Sequence, residues 1–351
     1  MPTKTVTTLS VIFLMPCNGT ERNAYASVCT VFGSDTDDYT YEALKLFLLG
    51  AISRAFKPGC KFEVMLCLVG GQGAGKSTFF RLLAVNDDWF SDDLKKLDDE
   101  NVYRKMQGHW IIEMSEMIAT ANAKSIEEIK SFLSRQKETY KIPYETHPAD
   151  RKRQCVFGGS SNTLDFLPLD RTGNRRFVPV MVYPERAEVH ILADEQASRE
   201  YINQMWAEAM EIYRSGNFRL RFSPAMNDYL KAHQKDFMPE DTKAGQILDY
   251  LERYSGSMVC SKQLYKEALR HDYDEPKQWE LREINDIMNN AVTGWRAFSN
   301  PRYFPEPYRR QKGWERIRND NEPDNSMDGF QEIPTEEMEQ LGLPEEWLKQ
   351  K

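Results

Sequence analysis

The chain has 351 residues, with 54 acidic and 46 basic side chains and a formal net charge of −8. Its composition, 40% hydrophobic and 12% aromatic, is typical of a soluble globular protein and excludes disordered and fibrous classes. The acidic balance excludes a protein coated in basic surface, so any contact with nucleic acid must come from a local patch or loop. No stretch approaches the roughly 18 apolar residues of a membrane span. The six cysteines form no CxxC pair, so zinc is not expected.

Residues 1–39 are predicted to be an irregular segment with one or two short strands. From Thr40, the stretch TYEALKLFLLGAISRAFKPG has apolar residues at helical spacing and ends at a Pro-Gly pair, which predicts a helix. From Phe62, FEVMLCLVG is a continuous apolar run, typical of a strand buried on both faces of a parallel sheet. The helix KSTFFRLLAV and a second buried strand, HWIIEM from His109, are predicted to follow.

The next segments continue the alternation of helices and strands. SIEEIKSFLSRQK from Ser125 is an amphipathic helix pattern, and TYKIPYETHPADRKRQCVFGGSSN is typical of a strand, a polar turn and a strand. RRFVPVMVY, from Arg175 to Tyr183, predicts another strand. Residues 40–222 therefore favour a three-layer α/β domain.

Beyond Phe222 the pattern changes. Helices are predicted at 244–254, 261–269 and 277–290, followed by aromatic-rich extended stretches around Trp295, Tyr303 and Trp314. Three short helices and a β-ribbon outline a winged-helix-like α+β domain over residues 223–318, a class that commonly binds DNA. A small helical lid or packing domain is an equal alternative. Residues 319–351 are acidic and predicted to form a flexible tail.

The segment GGQGAGKS satisfies the pattern G-x-x-x-x-G-K-[ST], between a predicted buried strand and a predicted helix. In such a loop, backbone N–H groups surround phosphates, the lysine reaches the β and γ oxygens, and the hydroxyl ligates Mg²⁺. The sequence therefore predicts an ATP and Mg²⁺ site. Its expected nucleotide-binding residues are Gly70, Gly71, Gln72, Gly73, Ala74, Gly75, Lys76, Ser77 and Thr78.

Two carboxylates follow in WIIEMSE. We assign Glu113, with Ser77, to the magnesium shell and Glu116 to activation of the attacking water, with the reverse assignment left open. Glu116 as a cap of the next helix is the structural alternative.

Three further residues are candidates for catalysis. Asn162, where QCVFGGSSN ends, is placed to hydrogen-bond the attacking water or the γ-phosphate, and ordinary turn chemistry is its alternative. Arg175 and Arg176 precede a strand, and an arginine presented across a subunit boundary can complete a nucleotide site. A solvated pair of arginines is the alternative.

Taken together, these motifs resemble the virulence-associated E family, a phage and mobile-element group related to the superfamily three helicases of the AAA+ class. The resemblance rests on KPGCKFEVMLCLVGGQGAGKSTFFRLLA, GHWIIEMSEM, IKSFLSRQKETYKIPY, RQCVFGGSSN and LDRTGNRRFVPV, in that order. It implies a P-loop NTPase core that assembles as a homo-oligomer, a hexamer, and threads DNA through a central pore.

The resemblance also implies a DNA contact. In related helicases a β-hairpin before the sensor strand grips single-stranded DNA, and the matching stretch here is YKIPYETHPADRKRQC. We therefore expect His147, Arg151, Lys152 and Arg153 to bind DNA. A charged, solvated hairpin is the alternative.

The expected function is an ATP-dependent helicase or translocase that acts on single-stranded or forked DNA during replication of a phage, prophage or satellite element. We expect it in the cytoplasm of the bacterial host, with no membrane partner. Larger relatives carry an upstream primase module, so a separate primase or origin-binding protein is an expected partner. The alternatives are an AAA+ ATPase with a regulatory or defence role that does not unwind DNA, and a P-loop kinase.

Overall fold

The computed structural model describes residues 33–35, 37–94, 97, 102–115, 123–140, 147, 149–169, 174–187 and 190–317. The chain divides into two compact units between Asp241 and Thr242. The predicted N-terminal strands and the acidic tail lie outside the described residues. Among the described helices, none is long and apolar enough to cross a membrane.

The first unit contains helices and strands in alternation. Its helices are α1 (Asp38–Phe56), α2 (Lys76–Leu83), α3 (Val102–Met106), α4 (Ala123–Ser134), α5 (Glu195–Ser215) and α6 (Pro224–His233). Its strands are β1 (Met65–Val69), β2 (Phe90–Ser91), β3 (Ile111–Ser115), β4 (Lys137–Tyr140), β5 (Ala149–Lys152), β6 (Val156–Ser161) and β7 (Phe177–Met181). Short 3₁₀ turns lie at Asp87–Trp89, Pro184–Arg186 and Gln234–Phe237.

Five strands form a central sheet in the order β2-β3-β6-β1-β7, and every neighbouring pair is parallel. The predicted parallel sheet is confirmed. Strand β1 lies between β6 and β7, with Met65 paired to both Phe157 and Phe177. Because all five strands run the same way, their carboxyl ends share one edge, and the loops that follow β1 and β6 meet there.

Helices cover both faces of this sheet, as the continuous apolar strand β1 requires. Leu66 and Leu68 point to a core built with α1, α2 and α5, where Trp110 stacks on Trp206 with ring centroids 4.8 Å apart. Met65, Cys67 and Val69 point to a second core, built with α3 and α4. The first unit is thus a mixed α/β arrangement with the sheet between two helical layers.

A glycine in β6 allows helix α2 to pack closely on the sheet. A Cβ atom at Gly158 would lie 2.2 Å from Cε1 of Phe80, which is shorter than any real carbon contact. Phe80 is fully buried and packs against Phe79 and Phe47. The close approach packs α2 against β6 and the neighbouring strand β3.

The first unit extends beyond the predicted boundary at residues 222 and 223. Helix α6 buries Leu230 in the core under α1, and Phe237 joins the core on the opposite face of the sheet. The buried amide of Gln234 donates to the carbonyl oxygens of Asn174 (2.8 Å) and Phe177 (2.6 Å). These contacts explain why the boundary between the two units falls after Asp241 and not after Phe222.

The second unit begins with α7 (Thr242–Arg253) and β8 (Met258–Cys260). A short helix, α8 (Ser261–Gln263), continues as a π turn (Leu264–Ala268), and α9 (Gln278–Asn290) follows. Strands β9 (Trp295–Ala297), β10 (Arg302–Phe304), β11 (Arg309–Gln311) and β12 (Gly313–Arg316) complete the unit. They form an antiparallel sheet, β8-β12-β9, and a separate ribbon, β10-β11. The three predicted helices and the extended stretches after them are confirmed.

We predict that Gly158→Ala lowers the free energy of unfolding of the first unit by about 1–3 kcal/mol, because the new methyl group meets the Phe80 ring. Gly245→Ala is the control, since Gly245 lies in α7 with open space around its Cα. There alanine should stabilise the helix by up to about 1 kcal/mol. Chemical denaturation measures both values, and equal effects of the two substitutions would contradict the packing account.

Candidate nucleotide-binding site

The loop after β1 has a backbone shape that only glycine accommodates easily. Gly73 and Gly75 have φ angles of +80° and +77°, in the left-handed region. A Cβ atom at Gly75 would also lie 2.1 Å from Cγ2 of Ile191. The two glycines therefore turn the chain from the end of β1 directly into helix α2.

Helix α2 presents its amino end to a cavity of about 290 Å³. Its N-cap is Gly75, no side chain caps its first N–H groups, and its first turn contains no acidic residue. Free N–H groups and the helix dipole favour an anion at this position. The cavity is lined by residues 72–78, Ser115, Ser160, Asn162 and Leu192. Most of the predicted nucleotide-binding loop thus surrounds one cavity at the carboxyl edge of the sheet.

The ammonium group of Lys76 lies within the loop. Its Nζ donates to the carbonyl oxygens of Gly70 and Gly71, both at 2.7 Å, and to Oδ1 of Asn162 at 2.9 Å. Lys76 is buried, and this burial lowers the pKa of its ammonium group below the ordinary value, while nearby Glu113 opposes the shift. The structure therefore brings Lys76 and Asn162 into direct contact at the cavity.

Glu113 lies beneath the start of α2. Its Oε1 accepts hydrogen bonds from Oγ of Ser77 (2.8 Å) and Oγ of Ser160 (2.6 Å). The residue is 0% exposed, and burial raises the pKa of its carboxyl group, while the two serine hydroxyls oppose that shift. The Ser77 and Glu113 side chains assigned to the metal shell are thus in contact. Glu116, the other predicted carboxylate, lies outside the described residues.

The donor set beneath α2 fits a magnesium ion. The second carboxylate oxygen of Glu113, Oε2, is buried and has no hydrogen-bond partner in the described structure. Magnesium prefers oxygen ligands, and it commonly takes one or two protein ligands with water and substrate phosphates. The described residues contain no group of three or more His, Cys, Asp or Glu side chains that would hold a metal without such help. Ser77 and Glu113 therefore fit a metal that arrives with phosphate.

Sequence reasoning missed Ser160. The residue lies in β6 beside Glu113, and its hydroxyl donates the shorter of the two bonds to that carboxylate. The signal was present, because QCVFGGSSN becomes polar near the carboxyl end of a buried strand. That pattern does not say which serine faces α2, since the choice depends on the pleat of β6.

Arg175 and Arg176 lie at the opposite edge of the sheet from the cavity, immediately before β7. Both pair with Glu63: Nη2 of Arg175 lies 3.2 Å from Oε1, and Nε of Arg176 lies 3.6 Å from Oε2. Nε of Arg176 also donates to Oγ of Ser134 at 3.0 Å. A five-residue strand spans roughly 15 Å, so the structure does not bring these arginines to the phosphate loop of their own chain.

Strands β4 and β5 form the predicted antiparallel hairpin, with Lys137 opposite Lys152 and Tyr140 opposite Ala149. Most of its turn, residues 141–146 and 148, lies outside the described residues. His147 and Lys152 are exposed, and Arg151 is half-buried. These three side chains stay predicted DNA contacts.

The prediction that Arg153 binds DNA is wrong, because its side chain is enclosed in the protein. Its guanidinium pairs with Glu138, donates to the carbonyl oxygen of Phe132 at 2.6 Å, and lies 4.6 Å from the centre of that ring. A buried guanidinium with these partners cannot reach a DNA phosphate. Arg153 instead joins the base of the hairpin to helix α4.

We predict that Glu138→Gln lowers the free energy of unfolding by about 3–5 kcal/mol, because it leaves the buried charge of Arg153 without its counter-ion. Lys137→Ala, one residue away, is the control. It removes an exposed pair with Asp150 and should cost less than about 1 kcal/mol. Urea denaturation separates the two, and a loss below 1 kcal/mol for Glu138→Gln would contradict the anchoring role.

Comparison with known proteins identifies a family. A family model described as the virulence-associated protein E-like domain matches residues 16–239, which is more than half of the chain. A search of curated proteins finds no match.

Among solved structures, the chain is similar to several structures of the C-terminal region of NrS-1. One A-form apo structure shows 14% sequence identity and a TM-score of 0.42. The match covers 81% of this chain and 66% of the NrS-1 chain, so it spans less than two thirds of the length of that chain. A second apo structure shows 13% identity and a TM-score of 0.45, and another A-form structure shows 13% identity and 0.48. Each of these two matches covers 87% of this chain and 78% of the NrS-1 chain.

Proposed function

Because the chain belongs to the virulence-associated protein E-like family, we propose that it is a Mg²⁺- and ATP-dependent motor of the AAA+ class, with a P-loop NTPase core. Its role is to unwind or translocate along DNA in replication of a phage, prophage or satellite element. The observation that carries this proposal is the loop of residues 70–77, with Lys76 bonded to Asn162 and Ser77 bonded to Glu113.

Phosphate binding follows from the contacts of Lys76. Two of its three bonds go to loop carbonyl oxygens, which are neutral acceptors. A phosphate oxygen carries more negative charge, and hydrogen bonds between ionised partners are roughly twice as strong as neutral ones. An incoming triphosphate therefore replaces the carbonyls as partner of the ammonium. The free N–H groups of α2 face the same cavity, which suits the remaining phosphate oxygens.

Ser77 and Glu113 are the residues that hold magnesium in this proposal. When bound, the ion neutralises charge on the β- and γ-phosphates. Glu113 orients the Ser77 hydroxyl, while Ser160 fixes the carboxylate from the neighbouring strand. Asn162 contacts Lys76 and so lies beside the expected γ-phosphate, where its amide orients the attacking water. Glu116 is the proposed activator of that water.

The placement of Arg175 and Arg176 supports sites shared between subunits. Since the pair lies at the far edge of its own sheet, it does not reach the phosphate loop of its own chain. Its role in this proposal is at the phosphate of another copy. Arg175 is 70% exposed at its side chain and so is available to a neighbour. We propose a homo-oligomer, a hexamer by family resemblance, in which each site combines one chain's loop with the next chain's arginines.

The hairpin of β4 and β5 is the proposed contact for single-stranded DNA. Lys152 and His147 are exposed, and the buried Arg153–Glu138 pair holds the hairpin base on α4. A rigid base and a basic outer surface suit a hairpin that grips a phosphate backbone. The winged-helix-like second unit is a further proposed part of this architecture.

We predict that Lys76→Ala abolishes ATP hydrolysis and weakens ATP binding at least tenfold, because the ammonium is lost from the loop. Lys57→Ala, which removes an exposed lysine at the end of α1, should leave both unchanged. Phosphate release and titration with a fluorescent ATP analogue measure the two effects. The proposed function fails if Lys76→Ala hydrolyses ATP like the wild type.

Subunit mixing tests the shared site. The double variant Arg175→Ala/Arg176→Ala should lose about 1000-fold or more in ATP hydrolysis, as for removal of an arginine supplied in trans. Mixing it with Lys76→Ala chains should restore part of the activity, because some sites then combine an intact loop with an intact arginine pair. Hydrolysis that stays absent at every mixing ratio would contradict the trans arrangement, provided that melting temperatures show both variants folded.

A further inference from the structure

A cluster of basic side chains lies in the last part of the second unit. Residues 295–317 carry six basic side chains and two acidic ones, a net charge of +4 in a chain whose net charge is −8. The basic residues are Arg296, Arg302, Arg309, Arg310, Lys312 and Arg316. This is the kind of local patch that an acidic protein needs in order to contact a polyanion.

Four of these cations already have strong partners. Glu315 pairs with Arg296 (2.8 Å) and Arg302 (2.6 Å), and Glu306 pairs with Arg309 (3.2 Å). Arg316 donates to backbone carbonyl oxygens and covers the ring of Trp295.

Arg310 and Lys312 are different, because the described structure shows neither paired with a carboxylate. Arg310 makes only a long bond, 3.5 Å, from its Nε to the carbonyl oxygen of Pro301. Both residues are exposed. Their charges therefore remain available to an external anion.

The register of the ribbon places an aromatic ring beside Arg310, and Lys312 follows the last residue of β11. Tyr303 in β10 is directly opposite Arg310 in β11, so the two side chains share one face. Phe304, the residue after Tyr303 in β10, points to the other face of the ribbon, where it is buried and packs with Phe298 and Cys260. Tyr303 is 66% exposed. An exposed ring opposite one cation without a carboxylate partner, with a second such cation two residues further along the chain, is a surface suited to nucleic acid.

Helix α9 does not offer such a surface. In a winged-helix outline the third helix is the element expected to enter the DNA groove. Helix α9 carries three acidic residues, Glu280, Glu283 and Asp286, and one basic residue, Arg282. Glu283 pairs with Lys243 (2.6 Å), while Glu280 is half-buried and Asp286 is exposed. The carboxylates of Glu280 and Asp286 would repel phosphates, so the charge favours the ribbon over the helix.

We propose that the β10–β11 ribbon binds duplex DNA, with Arg310 and Lys312 on phosphates and Tyr303 against the backbone or base edges. The major groove of B-form DNA admits a two-stranded ribbon. The major groove of an A-form RNA duplex is deep and narrow and does not. The residues of this contact belong to the second unit, whereas those of the ATP site and of the β4–β5 hairpin belong to the first. The contact makes the second unit a duplex anchor.

The test uses the full chain without nucleotide and a blunt DNA duplex of about 20 base pairs, with binding followed by fluorescence anisotropy at several salt concentrations. Arg310→Ala/Lys312→Ala should weaken binding about tenfold at 0.15 M salt, an order-of-magnitude expectation. It should also reduce the slope of log K against log salt by about 2, since each phosphate contact contributes roughly 0.9.

Arg253→Ala/Arg282→Ala is the matched control. It removes two exposed cations from the same unit, outside the ribbon, and changes the net charge equally. It should leave the slope unchanged. Lys76→Ala should bind the duplex like the wild type, so failure of the ATPase proposal leaves this test intact.

An RNA duplex and a single strand of the same sequence complete the comparison. The RNA duplex should bind more weakly than the DNA duplex. Arg310→Ala/Lys312→Ala should change the binding of the RNA duplex and of the single strand less than twofold, because the proposed site for the single strand is the hairpin of β4 and β5. The proposal is overturned if the ribbon variant, with an unchanged melting temperature, keeps the wild-type slope on duplex DNA. It is also overturned if the control variant loses as much affinity, or if the RNA duplex binds as tightly through the same two residues.

Discussion

Two side-chain hydrogen bonds join the glycine-rich loop to the strands beside it: Lys76 to Asn162 at the end of β6, and Ser77 to Glu113 in β3. They depend on the parallel register of the sheet. Glu113 aligns with Gly158, two residues before Ser160, and Ser160 aligns with both Leu68 and Ser115. Because side chains alternate along a strand, Glu113 and Ser160 lie on the same face of the sheet, where Glu113 also meets Ser77 of α2. Gly158 lets α2 approach closely enough for the bonds to form. A shift of one residue in β6 would turn Ser160 to the opposite face of the sheet.

Much of this arrangement could be predicted from local patterns. The buried strand, the glycine loop and the helix after it depend on contiguous residues, and so do the helices of the second unit. The link between Glu113 and Ser77 was predictable because the carboxyl ends of parallel strands share an edge. The bond from Ser160 to Glu113 could not be predicted in this way, since it depends on the pleat and register of β6. The boundary at Asp241 was also missed, because Gln234 binds residues about 60 positions earlier in the chain.

Arginines that look alike in the sequence have different roles in the folded protein. Arg151 and Arg153 lie in one basic run, RKR, yet Arg153 is buried on Phe132 and paired with Glu138. Sequence composition cannot distinguish an anchoring arginine from a ligand-binding one. Glu63 holds both Arg175 and Arg176 at the far edge of the sheet. In the proposed homo-oligomer, a phosphate bound to the neighbouring subunit would compete with Glu63 for these two arginines.

In the proposed function, the loop of residues 70–77, Glu113 and Asn162 form one site for magnesium and ATP. Titration calorimetry of the wild-type chain with a non-hydrolysable ATP analogue tests it most directly, with magnesium present and with a chelator. We expect one analogue bound per chain and at least a tenfold loss of affinity when magnesium is removed, because Ser77 and Glu113 are the residues proposed to hold the ion and would then have no ion to hold. Absence of binding, or binding of equal strength with and without magnesium, would contradict it.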